Sequence, residues 1–349
     1  MQRPVRETAD DARCPARVAV RWRAARRAAQ TLAIAAVLTV LLPPAPSRGV
    51  GQGAAGNPFS GRRFWVNPDN NARKQADEWN RSRSADAALM RLMAAQPLAV
   101  WLGDWNRDVR NDADGFLARA GGALTVFVAY NIPYRDCGLY SRGGAGDADG
   151  YRRWIIELAR GIRNRPVVVI LEPDAAAAGD CLPLRLRDER FALLREAADV
   201  LKKAGAAVYI DGGHAAWRSA PEMADRLRKS GIDLADGFSL NVSNFQPTST
   251  TITYGNSLSR LVGGKHYVID TSRNGRGKGG PGNWCNPSDQ ALGAIPTANT
   301  GTPLADAFLW IKVPGQSDGT CNGGPRAGQW WPEYALGLGR NAQVQVGGR

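Results

Sequence analysis

Histidine is scarce in this 349-residue chain: only His214 and His266 occur. Two histidines cannot furnish a His-rich metal site, and none of the five cysteines stands in a C-x-x-C pair, so no metal-ligand spacing is present. No G-x-S-x-G elbow occurs, which leaves a serine hydrolase without its nucleophile turn. The glycine-rich stretch Gly275–Gly282 lacks the Lys-Ser/Thr ending of a phosphate loop, and no dinucleotide-binding context surrounds it. The apolar run Thr31–Leu42 is shorter than the roughly 20 residues a membrane-spanning helix needs. Neither metal nor cofactor is expected.

The formal net charge is +13, but much of it is local: eight arginines face three acids before residue 31. The remaining excess is spread thinly. Arg160–Arg165 and Arg185–Arg190 flank helices with acids nearby, rather than forming a basic stripe interleaved with aromatics, so a nucleic-acid partner is not expected. Residues 1–48 read as an export signal, in which basic residues lead into Thr31–Leu42 and then Pro43-Pro44-Ala45-Pro46-Ser47. An uncleaved membrane anchor is the alternative. Residues 49–63 are rich in glycine and small side chains and read as a linker; 64–349 reads as one folded domain. Four cysteines, Cys137, Cys181, Cys285 and Cys321, lie in that domain and suggest two disulfides if the protein is exported. In a reducing compartment they would be free thiols.

From Phe64 the pattern alternates. Strands are expected at Leu98–Leu102, Leu124–Tyr130, Val167–Leu171, Ala207–Ile210, Phe238–Val242, Tyr267–Ile269 and Ala307–Ile311. Between them lie helical patterns at Ala85–Ala95, with Ser84 as N-cap, Asp112–Ala120, Tyr151–Arg163, Arg187–Lys203 and Pro221–Lys229; Trp331–Leu338 closes the chain. The clearest strand is VVVILEPD: five apolar residues, four of them β-branched, stop at Glu172-Pro173-Asp174. An unbroken apolar run suits a strand buried on both faces of a parallel sheet, and Pro173 ends it. Seven strands alternating with helices imply an α/β fold, a parallel β/α barrel. Nearly every strand ends in a polar group: Asp136, Asp174, Asp211, Asn244 and Asp270 follow strands two to six in turn, and Lys312 and Asp318 follow the seventh. Such convergence is what a barrel active site looks like.

The converging groups can do carboxylate chemistry without a cofactor. Glycoside hydrolysis needs one acid kept protonated and another kept ionised. Tryptophan is plentiful, at 11 residues, and flat aromatic faces stack on the apolar C–H faces of sugar rings (cf.). Together, YNIPYRDCG, VVVILEPD, YIDGGHAAW, LNVSNFQ, VIDTSRNGRG, NWCNPS and DAFLWIKVPGQSDG resemble glycoside hydrolase family 6, the inverting cellulases, from about Phe64 to Leu338.

The resemblance implies a distorted seven-stranded α/β barrel that hydrolyses β-1,4-glucan. It implies Asp174 as general acid and Asp136 as the second acid, which raises the pKa of the first and helps organise water. Asp318 matches the candidate base, and Tyr130 the tyrosine under the reacting sugar. Trp101, Trp217 and Trp284 match sugar-stacking positions; Asp211, His214, Asn244 and Lys312 match substrate-binding positions. Arg273, also counted with the substrate-binding positions, would pair with Asp270 or Asp318. Glu172 has only a supporting role, while His266 and Trp310 read as structural. The family's disulfides correspond to Cys137–Cys181 and Cys285–Cys321. Gln316 departs from the glutamate of many relatives, so the loop loses a charge. The loops Cys137–Tyr151 and Trp284–Ala307, with its extension to Trp330, carry no long insertion, which favours endo action on cellulose or soluble glucan by a monomer. A cellobiohydrolase of the same family and an inactive glucan-binding protein are the alternatives.

Overall fold

The structure is a computed structural model that describes residues 56–277 and 283–347. The export signal read at 1–48 and the first part of the linker lie outside the described residues. Among the described residues no helix is long and apolar enough to cross a membrane.

Seven strands form one wholly parallel sheet in chain order: β1 (Val100–Gly103), β2 (Thr125–Tyr130), β3 (Val167–Leu171), β4 (Ala207–Asp211), β5 (Gly237–Leu240), β6 (His266–Asp270) and β7 (Ala305–Leu309). Residues alternate between two apolar environments along each strand. Val126, Val128, Val168, Ile170 and Val268 fill the barrel interior, whereas Phe127, Ala129, Val169, Leu171 and Ile210 pack outward against the helices. This double burial is why β3 is an unbroken apolar run.

The barrel closes at a single point. Leu98 bridges Trp310, and Ala99 N–H donates to the Trp310 carbonyl at 3.1 Å. Beyond that pair no backbone ladder joins β1 to β7 among the described residues. The Trp101 indole N–H ties the two edges instead, donating to the Ile311 carbonyl at 2.8 Å. The strand ends therefore splay into an open seam.

Helices α3 (Val109–Ala120), α4 (Ala148–Ile162), α5 (Leu184–Lys203) and α6 (Ala220–Lys229) follow the expected order, as do α2 (Ser84–Ala94) before β1 and α8 (Pro332–Gly347) at the end. Ser84 is the first helical residue of α2 rather than its cap; Arg83 holds the cap position without a side-chain cap bond and pairs with Asp86 at 2.8 Å. Two helices are additional: α1 (Asn71–Trp79) and α7 (Thr248–Leu261). The α7 sequence TSTTITYGNSLSRL is poor in strong helix formers. It is held by burial of Tyr254 and Leu258 against the sheet. Strand β7 begins two residues before the expected start because a buried acid lies inside it: Asp306 accepts from the Tyr209 hydroxyl at 2.6 Å and meets His266 Nδ1 at 2.8 Å. His266 is thus a structural partner on the barrel wall. The linker read over 49–63 reaches too far. Phe59 is fully buried inside the barrel against Phe64 and Tyr209, and Asn57 donates to the Asp306 carbonyl at 2.9 Å.

Candidate active site

The carboxyl ends of the strands surround a cavity of about 400 Å³, whose walls include Tyr130, Asp136, Asp174, Trp217, Lys312 and Asp318. Several residues around it hold left-handed backbone: Asp136 (φ 55°), Glu172 (49°), Asp174 (71°) and Ser243 (57°). Each such residue costs roughly 1–3 kcal/mol and persists only where the surroundings enforce it. Two disulfides supply part of that enforcement. Cys137–Cys181 fastens the loop carrying Asp136 to the approach to α5, and Cys285–Cys321 fastens the loop carrying Trp284 to the chain just after Asp318.

The cavity acids are shifted in opposite directions. Asp174 is half-buried, and its carboxyl is raised well above the usual range, first by burial and then by the charges of Asp211 and Asp136. Asp136 is also raised by burial, although its carboxylate accepts the Ser141 N–H at 2.6 Å. Burial alone would raise Asp318 too, but the charges of Arg273 and Lys312 outweigh it and hold the carboxyl below its ordinary value. Arg273 Nη1 lies 2.9 Å from one Asp318 oxygen, which also accepts the Asn286 N–H at 3.0 Å; Lys312 Nζ lies 3.2 Å from the other. One cavity thus holds one carboxyl whose proton is favoured and another whose ionised form is favoured.

A second set of acids lies inside the wall. Glu172 accepts the N–H groups of Asn131 and Ile132 at 2.9–3.0 Å, and burial pushes its carboxyl up to about 7. Asp211 accepts the Asp174 N–H at 3.0 Å, the Gly213 N–H at 3.1 Å and the Ser239 hydroxyl at 3.1 Å. Asp270 accepts the N–H groups of Ser243 and Lys312 at 3.0 Å and of Ser272 at 2.9 Å. All three are 1% exposed. They fasten the backbone from which the cavity groups project.

Aromatic faces complete the site. Trp101 stands edge-on to Tyr130 at 5.1 Å, Trp217 lies 5.6 Å from His214, and Trp284 lies 6.0 Å from Tyr140. Burial lowers the His214 pKa to about 4, so the ring is neutral near pH 7 and available for hydrogen bonding; its Nε2 meets the Asn244 amide at 3.1 Å. A buried acid–carboxylate pair flanked by aromatic platforms is equipped to protonate and cleave an acetal linkage between sugars.

The family model for glycosyl hydrolases family 6 matches residues 59–342. The chain belongs to glycosyl hydrolases family 6. It is 45% identical over 292 residues to endoglucanase A of Cellulomonas fimi, covering 82% of this chain and 62% of that protein. The endoglucanase Cel6 of Mycobacterium tuberculosis, solved with methyl-cellobiosyl-4-deoxy-4-thio-β-D-cellobioside, superposes with a TM-score of 0.79 at 45% identity, over 82% of this chain and 99% of that one. Exoglucanase 3 of Agaricus bisporus is 30% identical over 355 residues, covering 82% of this chain and 79% of that protein. The chain thus spans under two thirds of the Cellulomonas relative's length.

Within this family-6 site the structure brings Tyr130, Asp136, Asp174 and Asp318 together with Trp101, Trp217, Trp284, His214, Asn244 and Lys312. Asp211 and Arg273, both expected to bind substrate, are instead sealed in the wall. Asp211 holds the Asp174 backbone. Arg273 pairs with Asp318, not Asp270, and lies over the Phe245 ring at 4.4 Å. Glu172 has the supporting role expected of it, and one positioning residue, Asn286, was missed. Glu172 fastens the start of the Asp136 loop, and Asn286 brackets Asp318 by also accepting the Asp318 N–H at 2.7 Å. The sequence signal for Asn286 was its place directly after Cys285 in NWCNPS.

Proposed function

We propose that the protein is a secreted endo-β-1,4-glucanase that cleaves internal bonds of cellulose or related glucans with inversion at the anomeric carbon. The observation that carries this reading is the opposite setting of two acids in one cavity, Asp174 raised and Asp318 lowered.

Asp174, whose carboxyl is raised by burial and by its acidic neighbours, donates its proton to the departing glycosidic oxygen. Asp136 adds negative charge that keeps that proton bound. Asp318 stays ionised, but a carboxylate stabilised by Arg273, Lys312 and Asn286 is a weak base. Its role is to stabilise positive charge at the anomeric carbon and to orient the attacking water, whose proton leaves through solvent. Tyr130 supports the reacting sugar; Trp101, Trp217 and Trp284 carry its neighbours; His214, Asn244 and Lys312 bind hydroxyls. Export directed by residues 1–48 fits the two disulfides, and a monomer suffices because the described chain supplies every group.

Endo action is supported by loops without long insertions. The chain-end alternative, a cellobiohydrolase, draws on one observation: Tyr140 reaches across to Gly319, where a Cβ would lie 2.4 Å from the tyrosine ring. No hydrogen bond joins Tyr140 to that loop among the described residues, so the contact can part to admit a chain. On carboxymethyl-cellulose and barley glucan, viscosity should fall much faster than reducing ends appear. Cellobiose alone from the outset would reverse the endo reading. Proton NMR should show the α-anomer first; a β-anomer would remove the inverting mechanism.

A further inference from the structure

The seam between β1 and β7 opens into a second groove of about 650 Å³. It shares Trp101, Tyr130, Ser141 and Lys312 with the catalytic cavity, so the two are continuous. His214, Trp217 and Asn244 line the cavity on the β4–β5 side. The seam groove therefore leaves the acids in the opposite direction.

Its most prominent wall is Trp105, which is 52% exposed. The ring is not loose. It lies over the end of β1, where a Cβ on Gly103 would come within 2.5 Å of it, so a glycine there allows the indole to settle on the backbone. The Arg135 guanidinium sits 5.3 Å from the Trp105 ring centroid and 4.7 Å from that of Tyr130. Arg135 is itself fixed by bonds to Asp104 at 2.9 Å, to the Tyr130 carbonyl at 2.8 Å and to the Ser141 carbonyl at 2.8 Å. A rigid series runs from Trp101 through Tyr130 and Arg135 to Trp105. The groove that Trp105 lines also carries the amides of Asn67, Asn71, Gln316 and Gln329, together with the charged Asp69 and Arg142. The Gln316 side chain makes no hydrogen bond to another described residue. Amides and charged groups of both signs beside a flat apolar face offer donors and acceptors to a neutral, hydroxyl-rich chain.

We infer that Trp105 is the platform of a further sugar-binding position, occupied where the glucan chain passes out of the catalytic cavity through the open seam. The inference rests on the glucanase reading above and adds an outer contact to it. It also gives Gln316 a role: an uncharged amide facing a sugar hydroxyl beside that platform.

The test is the ratio of kcat/KM for cellohexaose to that for cellotriose, measured for the wild type, Trp105→Ala and Trp105→Tyr. Only the longer oligosaccharide can fill the reacting site and the seam together. Losing a well-packed aromatic anchor should lower the ratio about tenfold in Trp105→Ala, while Trp105→Tyr keeps it within about threefold of wild type. A ratio unchanged in Trp105→Ala overturns the inference, whether both substrates keep their rates or both lose them in parallel through a disturbed Arg135. A ratio that falls as far in Trp105→Tyr as in Trp105→Ala also overturns it. A wild-type protein that cleaves neither oligosaccharide removes the glucanase reading itself, which is a separate outcome.

Discussion

Six carboxylates gather at the carboxyl ends of the strands, and they form two groups with different work. Asp136, Asp174 and Asp318 face the cavity; Glu172, Asp211 and Asp270 are sealed in the wall. Their positions differ in a simple way. Asp211 and Asp270 are the last residues of β4 and β6, and Glu172 directly follows β3. Asp174 comes three residues after β3, Asp136 six after β2 and Asp318 nine after β7. A side chain on the last ladder residue still stands against the sheet, where the nearest groups needing a partner are the N–H groups of neighbouring strand exits. Such an acid stabilises the frame by satisfying them. A chain that continues past the ladder can turn its side chain into the opening.

Substitutions should separate the groups. The largest effect is expected for Asp174→Ala, with kcat on polymer falling about 10³-fold or more, near the upper range for loss of a general acid. Its melting temperature should change little, because among the described residues no backbone donor hydrogen-bonds that carboxyl. Asp270→Ala should do the reverse. It strands the N–H groups of Ser243, Ser272 and Lys312, each worth about 1–3 kcal/mol when buried and unpaired. The lower part of that sum, about 3–5 kcal/mol, would already lower the melting temperature by roughly 5–10 °C, read by calorimetry. An unchanged melting temperature would merge the two groups.

Asp211→Asn should act on both properties, more weakly. As the proposed donor, Asp174 works only while protonated, so the rate should fall as pH rises through its pKa. Burial raises that pKa first and the Asp211 charge second; removing the charge lowers it, and the high-pH limb of the kcat profile should move to lower pH. A limb that stays in place, or moves up, would deny electrostatic contact between wall and cavity. The smallest effect belongs to Tyr140→Ala. Opening the approach to Gly319 should steepen the fall in viscosity relative to new reducing ends by less than about threefold, without changing the product anomer.

Much of the frame was legible from residues alone. β3 matches its apolar run, Val167–Leu171, because burial on both faces leaves no polar position to blur its edges. The start of β7 was hidden by Asp306, whose partners Tyr209 and His266 lie far away in sequence. Helix α7 was hidden because packing rather than propensity stabilises it. The resemblance named Asp136, Asp174 and Asp318, which line one cavity, yet the same reading placed Asp211 and Arg273 on the substrate. Nothing within YIDGGH or IDTSRNG distinguishes an acid or arginine that touches sugar from one that holds a neighbour. That distinction depends on which N–H groups and charges other strands bring alongside.

The central claim is that Asp174 is the proton donor, while the wall acids hold its backbone and tune its proton affinity without donating a proton themselves. The most direct test compares Asp174→Ala on carboxymethyl-cellulose and on 2,4-dinitrophenyl cellobioside, whose leaving group departs without protonation. The account expects a loss of about 10³-fold on the polymer and less than about tenfold on the aryl glycoside. Equal losses on both substrates, or activity largely retained on the polymer, would contradict it.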